Sequence, residues 1–131
     1  MNYFEQLKEI RTLLVDDDEF IRDSLSIAFK NKGCFMRTAE TAEEGLQALH
    51  EESFDLIICD FRLPGKNGLE FLRSIRNSQP EILCVLITAY RDKPISSEAS
   101  AMGIHEFIEK PFSVGVLIKS LGRLIETWRN N

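Results

Sequence analysis

Two stretches of this 131-residue chain, DLIIC at 55–59 and ILCVLIT at 82–88, carry apolar residues on both parities of a β-strand. A strand with one face in water alternates apolar and polar residues. A strand apolar on both parities needs cover on both faces, the setting of a central strand in a parallel sheet between layers of helices. TLLV (12–15), CFMRT (34–38) and HEFIE (105–109) are further β-rich runs, making five in all. Between the runs the period changes. Ile21, Leu25, Ala28 and Phe29 recur at helical spacing, as do Leu46 and Leu49, and then Leu69, Leu72 and Ile75. A last periodic segment puts Val114, Leu117, Ile118, Leu121, Ile125 and Trp128 on one face. Start signals agree with this division: Thr41 with Glu44 forms a capping box, and Ser113 follows Pro111 at the head of the last helix. Gly33, Gly65 and Gly103 fall between elements, where they end helices or supply turns. The order β-α, repeated five times, predicts a doubly wound α/β fold with a site at the carboxyl ends of the strands.

The length suits one domain with one core. Residues 1–10, MNYFEQLKEI, lie outside the alternation; Tyr3, Leu7 and Ile10 share a helical face, so this extension forms either a short extra helix or a loosely packed terminus. A formal net charge of −5 offers no basic footprint for nucleic acid or an anionic membrane, and neither partner is expected. The longest apolar run, 82–87, is far short of a membrane span, and the N-terminus lacks the basic start and apolar stretch of a secretory signal. A cytoplasmic location is expected. Cys34, Cys59 and Cys84 are widely spaced, with no CxxC pair, and read as buried reduced thiols.

The polar residues that follow the strands make a pattern no single motif shows. Asp16 and Asp17 follow the first run, Asp60 the third, Thr88 the fourth and Lys110 the fifth. Taken singly, an Asp after a strand is usually a helix cap, and a Lys before Pro is usually solvated. Together they would set three carboxylates, a hydroxyl and an ammonium around one rim. Two carboxylates about 5 Å apart repel by roughly 3 kcal/mol at an effective dielectric of about 20. A divalent cation would offset that repulsion, and hard oxygen donors without His or Cys favour Mg²⁺. An Asp beside such an ion can act as a nucleophile toward phosphorus, with Lys110 and Thr88 binding the phosphoryl oxygens.

These residues resemble the receiver domain of bacterial two-component response regulators. The similarity covers about residues 11–128, leaving 129–131 as a tail. VDDD, CDFRLPGKNG, ITA and EKPF occur in the order and strand context of that family. The resemblance implies a flavodoxin-like sheet of strand order 2-1-3-4-5 and makes Asp60 the phosphoacceptor. It assigns Mg²⁺ to Asp16, Asp17, Asp60 and the backbone carbonyl of Arg62, with Asp17 direct and Asp16 largely through water. Asp18 and Glu19 are then left to favour the start of the first crossover helix. It also makes Lys110 the phosphoryl partner, with a cis peptide to Pro111, and the Ala89 N–H a further phosphoryl donor. Thr88 and Phe107 become the switch pair; Phe107 lacks the hydroxyl of the Tyr that many members carry. Arg62 and Tyr90 occupy the positions that tune phosphate lifetime, and their bulk predicts slow autodephosphorylation.

The function so implied is a switch that takes a phosphoryl group from a sensor histidine kinase, a histidine phosphotransfer protein or a small donor such as acetyl phosphate. Output would pass through the face of the fourth crossover helix, the fifth strand and the last helix, with phosphorylation-dependent homodimerisation as one route. Neither His50 nor His105 has a donor's context, so the phosphohistidine belongs to a partner. No catalysis is expected beyond self-catalysed phosphotransfer and autodephosphorylation. Three alternatives stand beside this reading. An Asp-nucleophile, Mg²⁺-dependent phosphohydrolase would show a second Asp two residues after the nucleophile, whereas Phe61 and Arg62 follow Asp60. A flavin or nucleotide module would need a Gly- or Ser/Thr-rich loop where this chain is acidic. A receiver-like docking module would never be phosphorylated. The sequence ends just past Trp128 and leaves open whether the chain acts alone or within a longer protein.

Overall fold

The structure, a computed structural model, describes residues 3–89, 101 and 103–130. In chain order its elements are α1 (Tyr3–Leu7), β1 (Arg11–Val15), α2 (Glu19–Asn31), β2 (Phe35–Ala39), α3 (Ala42–Glu51) and β3 (Leu56–Asp60). They continue with β4 (Arg62–Leu63), β5 (Lys66–Asn67), α4 (Gly68–Ser78), β6 (Leu83–Ala89), β7 (Glu106–Lys110) and α5 (Val114–Arg129). Five strands form one all-parallel sheet in the order β2-β1-β3-β6-β7. With the two-residue strands β4 and β5 set apart as an antiparallel pair, this is the expected order 2-1-3-4-5. The fourth crossover helix was expected between β6 and β7, and most of that segment lies outside the described residues.

The pleat divides the core into two layers. Leu13, Val15, Ile57, Cys59, Cys84 and Leu86 face one side, where Ala48 of α3 and Phe71, Leu72 and Ile75 of α4 cover them. Leu14, Ile58, Val85, Ile87 and Ile108 face the other, against Leu25 and Phe29 of α2 and Leu117, Leu121 and Ile125 of α5. Every residue of β3 is buried, as its sequence required. Each fully buried Leu, Ile or Phe contributes roughly 1.5–3 kcal/mol relative to exposure.

The strands start one residue later than the apolar runs do, except β1, which starts one residue earlier. At β2 the reason is visible: Gly33 takes φ +72 to end α2, and the Cys34 N–H turns back to the Phe29 carbonyl at 2.9 Å. Cys34 therefore belongs to the helix stop and not to the strand. Trp128 also departs from its expected place on the packed face of the last helix. Ile125 is the last buried residue of α5, and Trp128, one turn on, is 40 % exposed.

At the N-terminus, Leu7 and Ile10 are buried, and the Phe4 ring meets Phe29 edge-on at 6.3 Å. Tyr3 lies against Gly122 of α5 so closely that a Cβ there would be 2.6 Å from its ring.

Asp18 is the N-cap of α2. Its Oδ1 accepts from the Phe20 N–H at 2.9 Å and the Ile21 N–H at 3.3 Å. Asp18→Ala leaves both donors without this acceptor and is expected to lower the unfolding free energy by about 1 kcal/mol in urea titration.

Candidate functional site

Strand alternation decides which rim residues meet. Leu14, Ile58 and Ile108 lie in the α2/α5 layer, and two residues beyond each stand Asp16, Asp60 and Lys110 on the same face. Parallel register sets the end of β1 beside that of β3, with Val15 opposite Cys59, and makes Asp60 level with Ile87 and Ile108, so that Lys110 stands two residues farther along β7 and its long side chain reaches back. Lys110 Nζ consequently lies 3.2 Å from Asp60 Oδ2 and 3.7 Å from Asp16 Oδ2. Asp17, exposed at the head of the turn into α2, adds a third carboxylate. One oxygen from each of Asp16, Asp17 and Asp60 falls within 4.8 Å of the other two.

Asp16 is tied at every polar atom but one. Its N–H donates to the Ala39 carbonyl at 3.0 Å, its Oδ1 accepts from the Asp18 N–H at 2.9 Å, and its carbonyl accepts from Arg22 Nη1 at 2.8 Å. Oδ2 is buried and has no hydrogen-bond partner among the described residues. A buried carboxylate oxygen left in that state is costly while ionised. Burial accordingly lifts the Asp16 carboxyl to about 6, with the nearby Asp60 charge adding to the rise and the Asp18 N–H and Lys110 opposing it. Burial also raises the Asp60 carboxyl, and Lys110 holds it back.

Thr88 and Phe107 share the opposite face. Thr88 follows Cys84 and Leu86 in alternation, Phe107 packs against the same layer, and Leu86 pairs with Phe107 in register. The Thr88 hydroxyl donates to the Ala89 carbonyl at 3.1 Å; in this conformation its hydrogen bond is spent on its own strand. Arg62 is exposed in β4. The Lys110–Pro111 peptide is cis. Tyr90 lies outside the described residues.

Two residues that the sequence reading passed over help build the site. The Gly68 N–H donates to the Phe61 carbonyl at 2.6 Å, which brings the start of α4 against the end of β3. A Cβ at Gly68 would lie 1.9 Å from the Asp60 carbonyl oxygen. Its signal in the sequence was a Gly just after Asn67, the residue that caps α4. Arg22, which holds the Asp16 carbonyl, had no such signal, because an Arg on a helix is ordinarily solvated.

The sequence profile of the response regulator receiver domain matches residues 12–122. The chain is 30 % identical over 121 residues to the C4-dicarboxylate transport transcriptional regulatory protein DctD of Pseudomonas aeruginosa, covering 92 % of this chain and 26 % of that protein. It is 32 % identical over 113 residues to the transcriptional regulatory protein FixJ of Rhizobium meliloti, covering 86 % of this chain and 55 % of FixJ. The chain thus spans only part of the curated relatives it matches. Among solved structures, a CheY-like receiver domain protein from Methanospirillum hungatei superposes with a TM-score of 0.85 at 28 % identity, covering 92 % of this chain and 97 % of that one. The receiver domain of NtrX from Brucella abortus gives 0.82 at 33 % identity, covering 88 % and 98 %.

Proposed function

Because this chain belongs to the response regulator receiver domain family, we propose that it is a phosphorylation switch with Asp60 as the acceptor. The observation that carries this reading is the placement of Lys110 Nζ 3.2 Å from Asp60 inside a three-carboxylate cluster. An Asp60 oxygen attacks the phosphorus of a phosphohistidine on a sensor kinase or phosphotransfer partner. The P–N bond breaks as the P–O bond forms, and the imidazole nitrogen keeps the electron pair. Lys110 turns from the carboxylate to the new phosphoryl oxygens, and the Ala89 N–H donates to another. The Thr88 hydroxyl exchanges the Ala89 carbonyl for the phosphoryl group. Its movement opens space on the face that Phe107 shares, and a change there passes to β7, α5 and the segment between β6 and β7. Homodimerisation through that surface is one output this reading allows.

The donor set fits Mg²⁺: three carboxylates, one of them with a buried oxygen lacking any hydrogen bond among the described residues. Asp16, Asp17, Asp60 and the Arg62 carbonyl would hold the ion. When bound it neutralises the acidic cluster and the charge on the transferred group. Among the described residues no helix is long and apolar enough to cross a membrane, and a cytoplasmic location is part of the proposal.

Incubation with acetyl phosphate and Mg²⁺ is expected to add one phosphoryl group to the wild-type chain, read by intact mass. Asp60→Asn is expected to gain none. An unmodified wild type, or equal modification of the variant, would remove Asp60 from the role. Bulk at positions 62 and 90 is expected to shield the acyl phosphate from water. The double variant Arg62→Ala, Tyr90→Ala should therefore lose its phosphoryl group several-fold faster, and an unchanged half-life would refute the shielding.

A further inference from the structure

We propose that Arg22 is a positioning residue for the acidic cluster, holding the peptide between Asp16 and Asp17 so that the Asp17 carboxylate is directed at the cation. The proposal rests on the metal reading above and names a residue that reading leaves out.

Asp16 enters the site as part of the sheet: it is buried, and its N–H still pairs with Ala39 of β2. Asp17 has no such support. It is exposed and joins the cluster only through the course of the backbone after Asp16. The strand pairing has ended at Val15 opposite Ala39, and among the described residues no neighbouring strand takes up the Asp16 carbonyl. Arg22 reaches back from the first turns of α2 and donates to that carbonyl at 2.8 Å. The carbonyl belongs to the peptide that joins the two aspartates. Fixing it sets the plane from which the Asp17 side chain departs. The other end of the brace is firm as well, since the Arg22 N–H donates to the Asp18 carbonyl at 3.0 Å and Asp18 caps the helix. Groups that orient metal ligands without touching the metal commonly carry a 10–100-fold share of its affinity.

Charge and positioning predict opposite signs here, which makes the role testable. Removing a guanidinium beside a cation site should, by charge alone, tighten cation binding. Removing a brace should weaken it. The experiment measures Mn²⁺ binding by electron paramagnetic resonance, with Mg²⁺ competition, for the wild type, Arg22→Met and Arg22→Lys, together with urea midpoints in EDTA. Arg22→Met is expected to bind Mn²⁺ about 10-fold more weakly, Arg22→Lys to recover most of the loss, and the metal-free midpoints to stay together. Unchanged or tighter binding in Arg22→Met overturns the proposal. A midpoint that falls in step with affinity also overturns it, by assigning Arg22 to folding. A wild type that binds no Mn²⁺ removes the metal reading itself, an outcome distinct from the other two.

Discussion

Gly68→Ala is expected to produce a weakened fold with little or no phosphorylation at Asp60. The conflict is one of space. The φ of Gly68 is not in the left-handed region, so Ala could adopt the backbone conformation. Its Cβ, however, would lie 1.9 Å from the Asp60 carbonyl oxygen, 2.8 Å from the carbonyl carbon and 3.0 Å from Cys59 Sγ. Two of these atoms are main chain in a fully buried strand, so no side-chain rotation relieves the overlap. Restoring contact near 3.5 Å requires the start of α4 and the end of β3 to separate by roughly 1.5 Å. That movement breaks the hydrogen bond from Gly68 to the Phe61 carbonyl and shifts the acceptor itself. A loss of about 3 kcal/mol or more is expected, from a total of about 5–15 kcal/mol for a domain of this kind. Urea denaturation reads the first effect and phosphorylation by acetyl phosphate the second. Wild-type values in both would show that α4 can be seated without the glycine.

Asp16→Asn is expected to act in the opposite direction and stabilise the metal-free chain at neutral pH. Burial raises the Asp16 carboxyl from 3.8 to about 6, so the folded chain keeps this proton to higher pH than the unfolded chain does. Stability from this group is therefore fully present below about pH 4 and is lost as pH rises through about 6. About two pH units at 1.36 kcal/mol each give a deficit of about 3 kcal/mol at pH 7.5. An amide has no charge to desolvate and removes the deficit. In EDTA, the variant should exceed the wild type by up to about 3 kcal/mol at pH 7.5, with about half of the gap closed at pH 5 and most of it at pH 4. Asp60, also raised by burial, adds a pH dependence of the same sign to both chains. Equal stability at pH 7.5 would mean that Asp16 is better solvated than its burial indicates. The same variant should bind Mn²⁺ more weakly, so stability and function are opposed at this residue.

The five strands and the burial of the central ones were legible in the sequence because each rests on a local signal, whereas the rim aspartates stood out only when the ends of several strands were taken together. Apolar residues on both parities mark a strand with two covered faces, and residues 56–60 and 83–88 are buried throughout. The cap at Asp18 and the stop at Gly33 are likewise local, since each works through the backbone of its own helix end. The first residue of β2 was misread for a tertiary reason: Cys34 has a strand-forming composition around it, but its N–H is taken by Phe29. Trp128 was misread because periodicity shows which face a residue is on and not where the covering layer ends.

What the sequence determined by itself was the order of elements, the two-sided burial of the sheet and the residue types that arrive at its carboxyl edge. These follow from side-chain period and turn chemistry, which act over a few residues. Only the tertiary structure decided which of those residues meet. Asp16, Asp60 and Lys110 converge because parallel register sets the end of β1 beside that of β3, the pleat turns all three residues toward one face, and Lys110, two residues farther along β7, reaches back past β6, while the same pleat sends Thr88 and Phe107 to the other. Register is a relation between strands up to dozens of residues apart. Nor could local pattern reveal that α4 approaches β3 too closely for any residue but glycine, or that Arg22 reaches back six residues to the Asp16 carbonyl. Both depend on where packed elements come to rest, which no single segment of the chain specifies.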